Sequence, residues 1–194
     1  MKDLPDELDV SQVDLVGSSY GGGIAAQFAL DYPERVRRIV FIDAEVFGEG
    51  SNQAWVARLP FGLNRAFTWY VLGGGPLAGN LSKLACFDQI ACAESTDFRL
   101  AREALVRIRG TTDALFAYSK TPRDQCIPTY LRLLSIPAMA IWGEEDKIIP
   151  PENGQRLANM LNARLEWIPQ AGHIPHIERP ELVATLILDY LNPN

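Results

Sequence analysis

The stretch from Val13 to Leu30 restricts the fold of this chain more than any other. Val13-Asp14-Leu15-Val16 is largely apolar and too short for a helix, and Gly17 stops it, so it reads as a strand. Gly17-Ser18-Ser19-Tyr20-Gly21 follows at once, and then the small, apolar run Gly22 to Leu30. Tyr32-Pro33 closes that run, because the residue before a proline is pushed out of helical geometry. A strand therefore turns sharply into a helix across a serine flanked by glycines. Such a turn is strained, admits only small neighbours and projects the serine above the sheet. A glycine-rich turn with an incidental serine is the plain alternative. A dinucleotide fingerprint fails on register: from Gly17 it needs glycine at position 19, and from Gly21 it begins inside the helix.

The same alternation returns along the chain. Arg38 to Asp43, Ala138 to Trp142 and Arg164 to Ile168 read as buried strands. Pro151 to Leu161 reads as a helix, with Pro151 suited to its first turn and Gly154 weakening it. Pro180 to Leu191 sets Leu182, Val183, Leu186, Ile187, Tyr190 and Leu191 on one stripe of an amphipathic helix. These elements predict an α/β fold, a mainly parallel sheet flanked by helices, over residues 1–48 and 129–194. Residues 49–128 differ. They hold aromatic residues (Trp55, Phe61, Phe67, Trp69, Tyr70), the flexible Gly73-Gly74-Gly75-Pro76, and a helical run from Asp97 to Arg109 that Gly110 stops. No strand is expected there, which predicts a helical insertion between two strands of the sheet.

Composition narrows the function. The chain has 194 residues, enough for one domain with its own core, and a net charge of −6 without a Lys/Arg cluster. That balance argues against a nucleic-acid partner, which needs a basic footprint. No apolar run approaches the ~20 residues of a membrane span, and the charged start, Met1 to Glu7, does not resemble a secretory signal. Three cysteines are too sparse for a disulfide scaffold, so a reducing, cytoplasmic setting is expected. Cys86 and Cys92 read as buried small apolar side chains; a metal site is not expected, since no histidine partners them.

Chemistry-bearing residues gather after the predicted strands. Glu144, Glu145 and Asp146 follow Ile141-Trp142-Gly143, and Gly172-His173-Ile174-Pro175-His176 holds the chain's 2 histidines. In an open parallel sheet all such loops meet at one edge, where ligands bind. Ser19, Asp146 and His173 can therefore meet although they lie far apart in sequence. Asp43 also ends a strand and is the rival acid. Glu144 and Glu145 read as solvated charges, and His176 as a lid or pocket contact or a surface residue, with the base as its rival reading.

Three blocks together resemble the α/β-hydrolase family of the lid-bearing esterase and C–C hydrolase type. They are Val16 to Gly22, Trp142 to Asp146 with Pro150, and Gly172-His173 with Glu178-Arg179-Pro180-Glu181. The resemblance covers the C-terminal two-thirds or so of such a protein. It implies Ser19 as nucleophile, Asp146 as orienting acid and His173 as base. It also implies the Tyr20 backbone N–H as an oxyanion donor, the insertion as a lid, and no cofactor. The chemistry is coherent: an imidazole near neutrality can deprotonate a serine, and a carboxylate fixes its tautomer. Ser18 stands where histidine is common and is expected to touch the pocket lining.

The resemblance also predicts what this sequence does not hold. Only 18 residues precede Ser19, and no His-Gly pair marks a loop for the second oxyanion donor. Val13 to Gly17 would then form an open sheet edge prone to self-association. A fragment of a longer hydrolase is the favoured explanation. Two functional readings follow. One is a serine hydrolase acting on a small molecule with an apolar acyl or aryl group. The other is a catalytically silent or truncated chain that acts as a binding scaffold.

Overall fold

The computed structural model describes residues 3–48, 85–88, 100, 104, 108–111, 113–114, 117 and 127–193. Four parallel strands, β1 (Val13–Ser18), β2 (Val36–Ile42), β3 (Ala138–Gly143) and β4 (Arg164–Ile168), lie side by side in chain order. The helices of this part are α1 (Asp3–Glu7), α2 (Tyr20–Asp31), α3 (Ile127–Leu131), α4 (Pro151–Leu161), α5 (Pro175–Glu178) and α6 (Pro180–Leu191). The four expected strands and the helices α2, α4 and α6 are present, with boundaries within two residues. Three short helices, α1, α3 and α5, go beyond those expected from the sequence. α5 was read as loop, and α3 straddles the boundary placed after residue 128.

Strand β2 shows why the sheet is covered on both sides. Ile39 and Phe41 enter one apolar layer with Ala25, Ala26, Phe28 and Ala29 of α2 and Leu157 of α4. Val40 and Ile42 enter the opposite layer, with Met139, Ile141 and Ile168 from the neighbouring strands and Val183 of α6. Successive side chains point to opposite faces, so a strand buried on both sides must be apolar throughout. Trp142 is fully buried in the first layer and donates its indole N–H to the Ile149 carbonyl at 3.2 Å. Gly154 is what lets α4 lie over that ring: a Cβ there would stand 2.7 Å from the indole. A glycine that weakens the helix in isolation is thus required by its packing.

Among the described residues β1 pairs with β2 alone, and Val16 on it is 48% exposed. Arg35 ties the leading segment to this edge, bonding Asp6 Oδ1 at 2.6 Å and the carbonyls of Ser11 and Val10 at 2.8 and 2.9 Å.

The chain divides into two compact units, Met1–Gly50 with Asp124–Asn194, and Ser51–Arg123. The sheet belongs to the first. Of the second, the aromatic cluster, the Gly73–Pro76 segment and most of the helix expected over Asp97–Arg109 lie outside the described residues. Leu100 and Ala104 are helical, and Gly110 has φ 92°, a left-handed conformation suited to a helix stop. One expectation is corrected here. Cys86 is buried, but as half of a disulfide and not as a free apolar thiol. Its partner lies outside the described residues. No helix among the described residues is long and apolar enough to cross a membrane.

Candidate active site

Ser19 sits between β1 and α2 with φ 51° and ψ −123°, a conformation that side-chain-bearing residues seldom adopt. Three backbone hydrogen bonds hold it there. Its N–H donates to the Ile42 carbonyl at 2.9 Å, and its carbonyl accepts from Gly22 at 3.0 Å and Glu45 at 2.8 Å. The flanking glycines are a steric requirement. A Cβ at Gly17 would lie 2.5 Å from the Gly21 carbonyl oxygen, and one at Gly22 would lie 2.3 Å from Ala44 Cβ. The turn expected from sequence is therefore built, and it directs the serine side chain toward the loops after β3 and β4.

Asp146 is reached by a tight turn after β3, with its N–H toward the Gly143 carbonyl at 3.3 Å. Its Oδ1 accepts the N–H groups of Ile148 and Ile149 at 2.7 and 3.0 Å, which leaves Oδ2 pointing at His173. His173 follows β4. Its Nδ1 lies 2.8 Å from Asp146 Oδ2, and its Nε2 lies 2.9 Å from Ser19 Oγ. Asp146 and His173 are 4% and 7% exposed, so the bond between them is screened from water, while the bond to the half-buried Ser19 is part-buried. An ionised carboxylate only accepts, so Nδ1 carries the ring proton. Nε2 is then the lone pair that faces the serine hydroxyl. The structure brings Ser19, Asp146 and His173 together in that order.

The rival residues fall elsewhere. Asp43 does not touch the imidazole; its Oδ1 accepts the Gly143 N–H at 2.9 Å, and its Oδ2 is buried without a hydrogen-bond partner. Burial pushes its carboxyl well above the usual carboxylate range, against the opposing effect of the Gly143 N–H, and Asp146 nearby raises it further. His176 is half-buried in α5, with Nδ1 unpartnered. Burial, then the nearby His173, lowers its pKa from the ordinary value. Asp43, Asp146 and His173 each offer a ligand atom within 4.8 Å of the others, yet the facing atoms of Asp146 and His173 already bond each other. Ser18, the last residue of β1, is half-buried, and Tyr20 opens α2 with its side chain 41% exposed.

Glu145 corrects the sequence reading. Glu144 is exposed as expected, but Glu145 is half-buried and its Oε2 accepts the Ala171 N–H at 3.1 Å. The Glu145 N–H returns a bond to the Ala171 carbonyl at 3.1 Å, and Glu144 N–H reaches the Ile168 carbonyl at 3.1 Å. Glu178 adds a second clamp, its Oε2 accepting the Gly172 N–H at 2.7 Å. The loops that carry Asp146 and His173 are therefore laced together. Nothing in sequence spacing marked Glu145 or Glu178 for this, because each bonds a backbone N–H.

This geometry accords with similarity to known proteins. Residues 1–180 match the alpha/beta hydrolase fold family. A 2-hydroxy-6-oxononadienedioate/2-hydroxy-6-oxononatrienedioate hydrolase of Burkholderia vietnamiensis is 32% identical, over 96% of this chain and 64% of that protein. A 2-hydroxymuconate semialdehyde hydrolase of a Pseudomonas species is 30% identical, again over 96% of this chain and 64% of its relative. Among solved structures, an alpha/beta hydrolase enzyme from a Medee basin deep-sea metagenome library superposes with a TM-score of 0.79. It is 24% identical, and the match covers 100% of this chain and 70% of that one. The chain belongs to the α/β-hydrolase fold family. It spans about 64% of the length of the first two relatives.

Proposed function

We propose that this chain carries the catalytic machinery of a serine hydrolase, cleaving an ester or a related carbonyl bond through an acyl-enzyme. The observation that supports this most is the relay Ser19 Oγ–His173 Nε2 at 2.9 Å and His173 Nδ1–Asp146 Oδ2 at 2.8 Å. Ser19 Oγ adds to the substrate carbonyl carbon while Nε2 takes the hydroxyl proton. Asp146 stabilises the imidazolium that forms and holds its tautomer. The developing oxyanion is assigned to the Tyr20 N–H at the start of α2, where the helix dipole favours negative charge. The imidazolium passes its proton to the leaving group, and water repeats the sequence to release the acid.

The names of the two relatives point to small-molecule carbonyl substrates, so 2-hydroxy-6-oxo acids and short acyl esters form the first substrate panel. A fluorophosphonate probe is expected to label Ser19, with Ser19→Ala as the blank and His173→Ala strongly slowed. Undiminished labelling of His173→Ala would remove the base assignment. The second reading is a silent, ligand-binding chain. Retained binding of panel compounds with no Ser19-dependent turnover would establish it.

A further inference from the structure

Asp43 is the buried titratable group that the mechanism leaves unused. It is fully buried at the end of β2, and its backbone has φ 43°, in the region that side-chain-bearing residues avoid. Two bonds continue the β2–β3 ladder one step past the last strand pair. The Asp43 N–H donates to the Ile141 carbonyl at 3.1 Å, and its Oδ1 accepts the Gly143 N–H at 2.9 Å. Gly143 in turn accepts the Asp146 N–H, so Asp43 anchors the turn on which the triad acid stands.

The other oxygen is the informative one. Oδ2 is enclosed and accepts from no donor, while a ligand atom of Asp43 stands within 4.8 Å of atoms of Asp146 and His173. The charged groups facing Asp43 are Asp146 and Glu178, both acids, and His173, whose two nitrogens are engaged elsewhere. An ionised Asp43 would thus place an unpaired oxygen against a second carboxylate in a dry site, which is strongly unfavourable. A proton on Oδ2 turns the same contact into an attraction. Asp146 accepts three hydrogen bonds, two at Oδ1 and one at Oδ2, so a lone pair is still open to a further donor.

We propose that Asp43 is a positioning residue of the triad, a carboxylic acid that donates its Oδ2 proton to Asp146 while its Oδ1 holds the end of β3. The hydrogen bond fixes the Asp146 carboxylate in the plane that meets His173 Nδ1. It also draws charge from that carboxylate, which sets how strongly Asp146 raises the proton affinity of the imidazole.

The proposal deepens the serine-hydrolase reading and rests on it, so its test reads the relay without turnover. The chain has only 2 histidines, so both ring systems can be assigned by ¹H–¹⁵N NMR of the full chain. The wild type is expected to show a low-field His173 Nδ1 proton bonded to Asp146. Asp43→Asn keeps the shape, the acceptor toward Gly143 and a donor toward Asp146, but cannot ionise. With a neutral Asp43 the His173 midpoint should move by less than ~0.3 pH unit in this variant, because no charge is removed. A fall of about 1 unit or more would mean that an ionised Asp43 had been present, and would overturn the proposal.

Alkaline titration supplies the second readout. The low-field resonance of the wild type should fade at a lower pH than that of Asp43→Asn, since only the wild type can lose the Asp43 proton. Identical alkaline limbs would reduce Asp43 to a purely structural ladder residue and overturn the proposal. If the wild type itself shows no bonded Nδ1 proton, the triad reading fails and this one falls with it. That failure is recognisable because it precedes any substitution.

Discussion

The two halves of the site are held by different physics. Ser19 is fixed by backbone hydrogen bonds and by glycines packed too closely for any added carbon. Asp146 and His173 are fixed largely by acidic side chains: Asp146 on the Ile148 and Ile149 amides, Glu145 on Ala171, Glu178 on Gly172 and the carboxyl of Asp43 on Gly143. Steric constraint does not titrate; carboxylate anchoring does. The geometry of Ser19 should therefore be indifferent to pH over a range in which the loops of Asp146 and His173 change their stability. A divided design of this kind lets the reactive serine be strained while the groups that service it remain tunable.

Several substitutions can break or sharpen this contrast. The largest effect is expected from His173→Ala, which removes the imidazole 2.9 Å from the serine hydroxyl; fluorophosphonate labelling should slow by roughly 10⁴-fold or more. Next is Gly143→Ala. Its Cβ would stand 2.0 Å from the Gly172 carbonyl oxygen, so β3 and the histidine loop must separate. Chemical denaturation should register a loss of about 1–3 kcal/mol, with labelling reduced in parallel. Gly22→Ala, on the serine side, should cost a similar amount through its clash with Ala44, and with no dependence on pH.

Glu178→Ala removes a short hydrogen bond from a charged acceptor to the Gly172 N–H and should destabilise by about 1–2 kcal/mol. Asp43 gives a slope with pH. Its folded-state pKa lies well above the unfolded value, so the native state binds the extra proton. Stability is then fully present below about pH 4, the unfolded carboxylate range, and falls as pH rises toward the folded pKa. Asp43→Asn should flatten that fall, a difference measurable by urea denaturation across a pH series. The smallest effect belongs to Glu144→Gln. Glu144 is exposed beside Glu145, and its change should stay within ~0.5 kcal/mol while Glu145→Ala exceeds it.

The same division decides what could be read from the sequence. The serine turn was legible because sterics write themselves into residue type: Gly17 and Gly22 around Ser19 announce close approach, whereas a Cβ at Gly21 would meet nothing within 4 Å. The strands and long helices were legible for a related reason, since apolar periodicity is what burial on two sheet faces demands. Asp146 and His173 were singled out because they follow strands in the order the family uses, and the structure brings both side chains into one hydrogen-bonded chain with Ser19. Glu145, Glu178 and the anchoring function of Asp43 were not found. A carboxylate that bonds a backbone N–H has a partner of no particular residue type, so Glu178 on Gly172 and Asp43 on Gly143 leave no pattern to detect. Gly154 was misjudged for the reverse reason. Its meaning lies in Trp142, a residue on another element, and helix propensity alone registers only its cost. α5 escaped because Pro175 begins a single turn too short to show periodicity.

The backbone angles at Ser19 carry a further consequence, in the arena of descent. A residue with a Cβ held at φ 51° and ψ −123° costs ~1–3 kcal/mol that glycine would largely avoid. Mutation to glycine at this one position would therefore make the chain more robust while removing its nucleophile. In a lineage no longer selected for hydrolysis, that exchange would spread as a gain in foldability. On the proposed reading of Ser19 as nucleophile, the strain at this turn is a stability cost that only a reactive hydroxyl offsets.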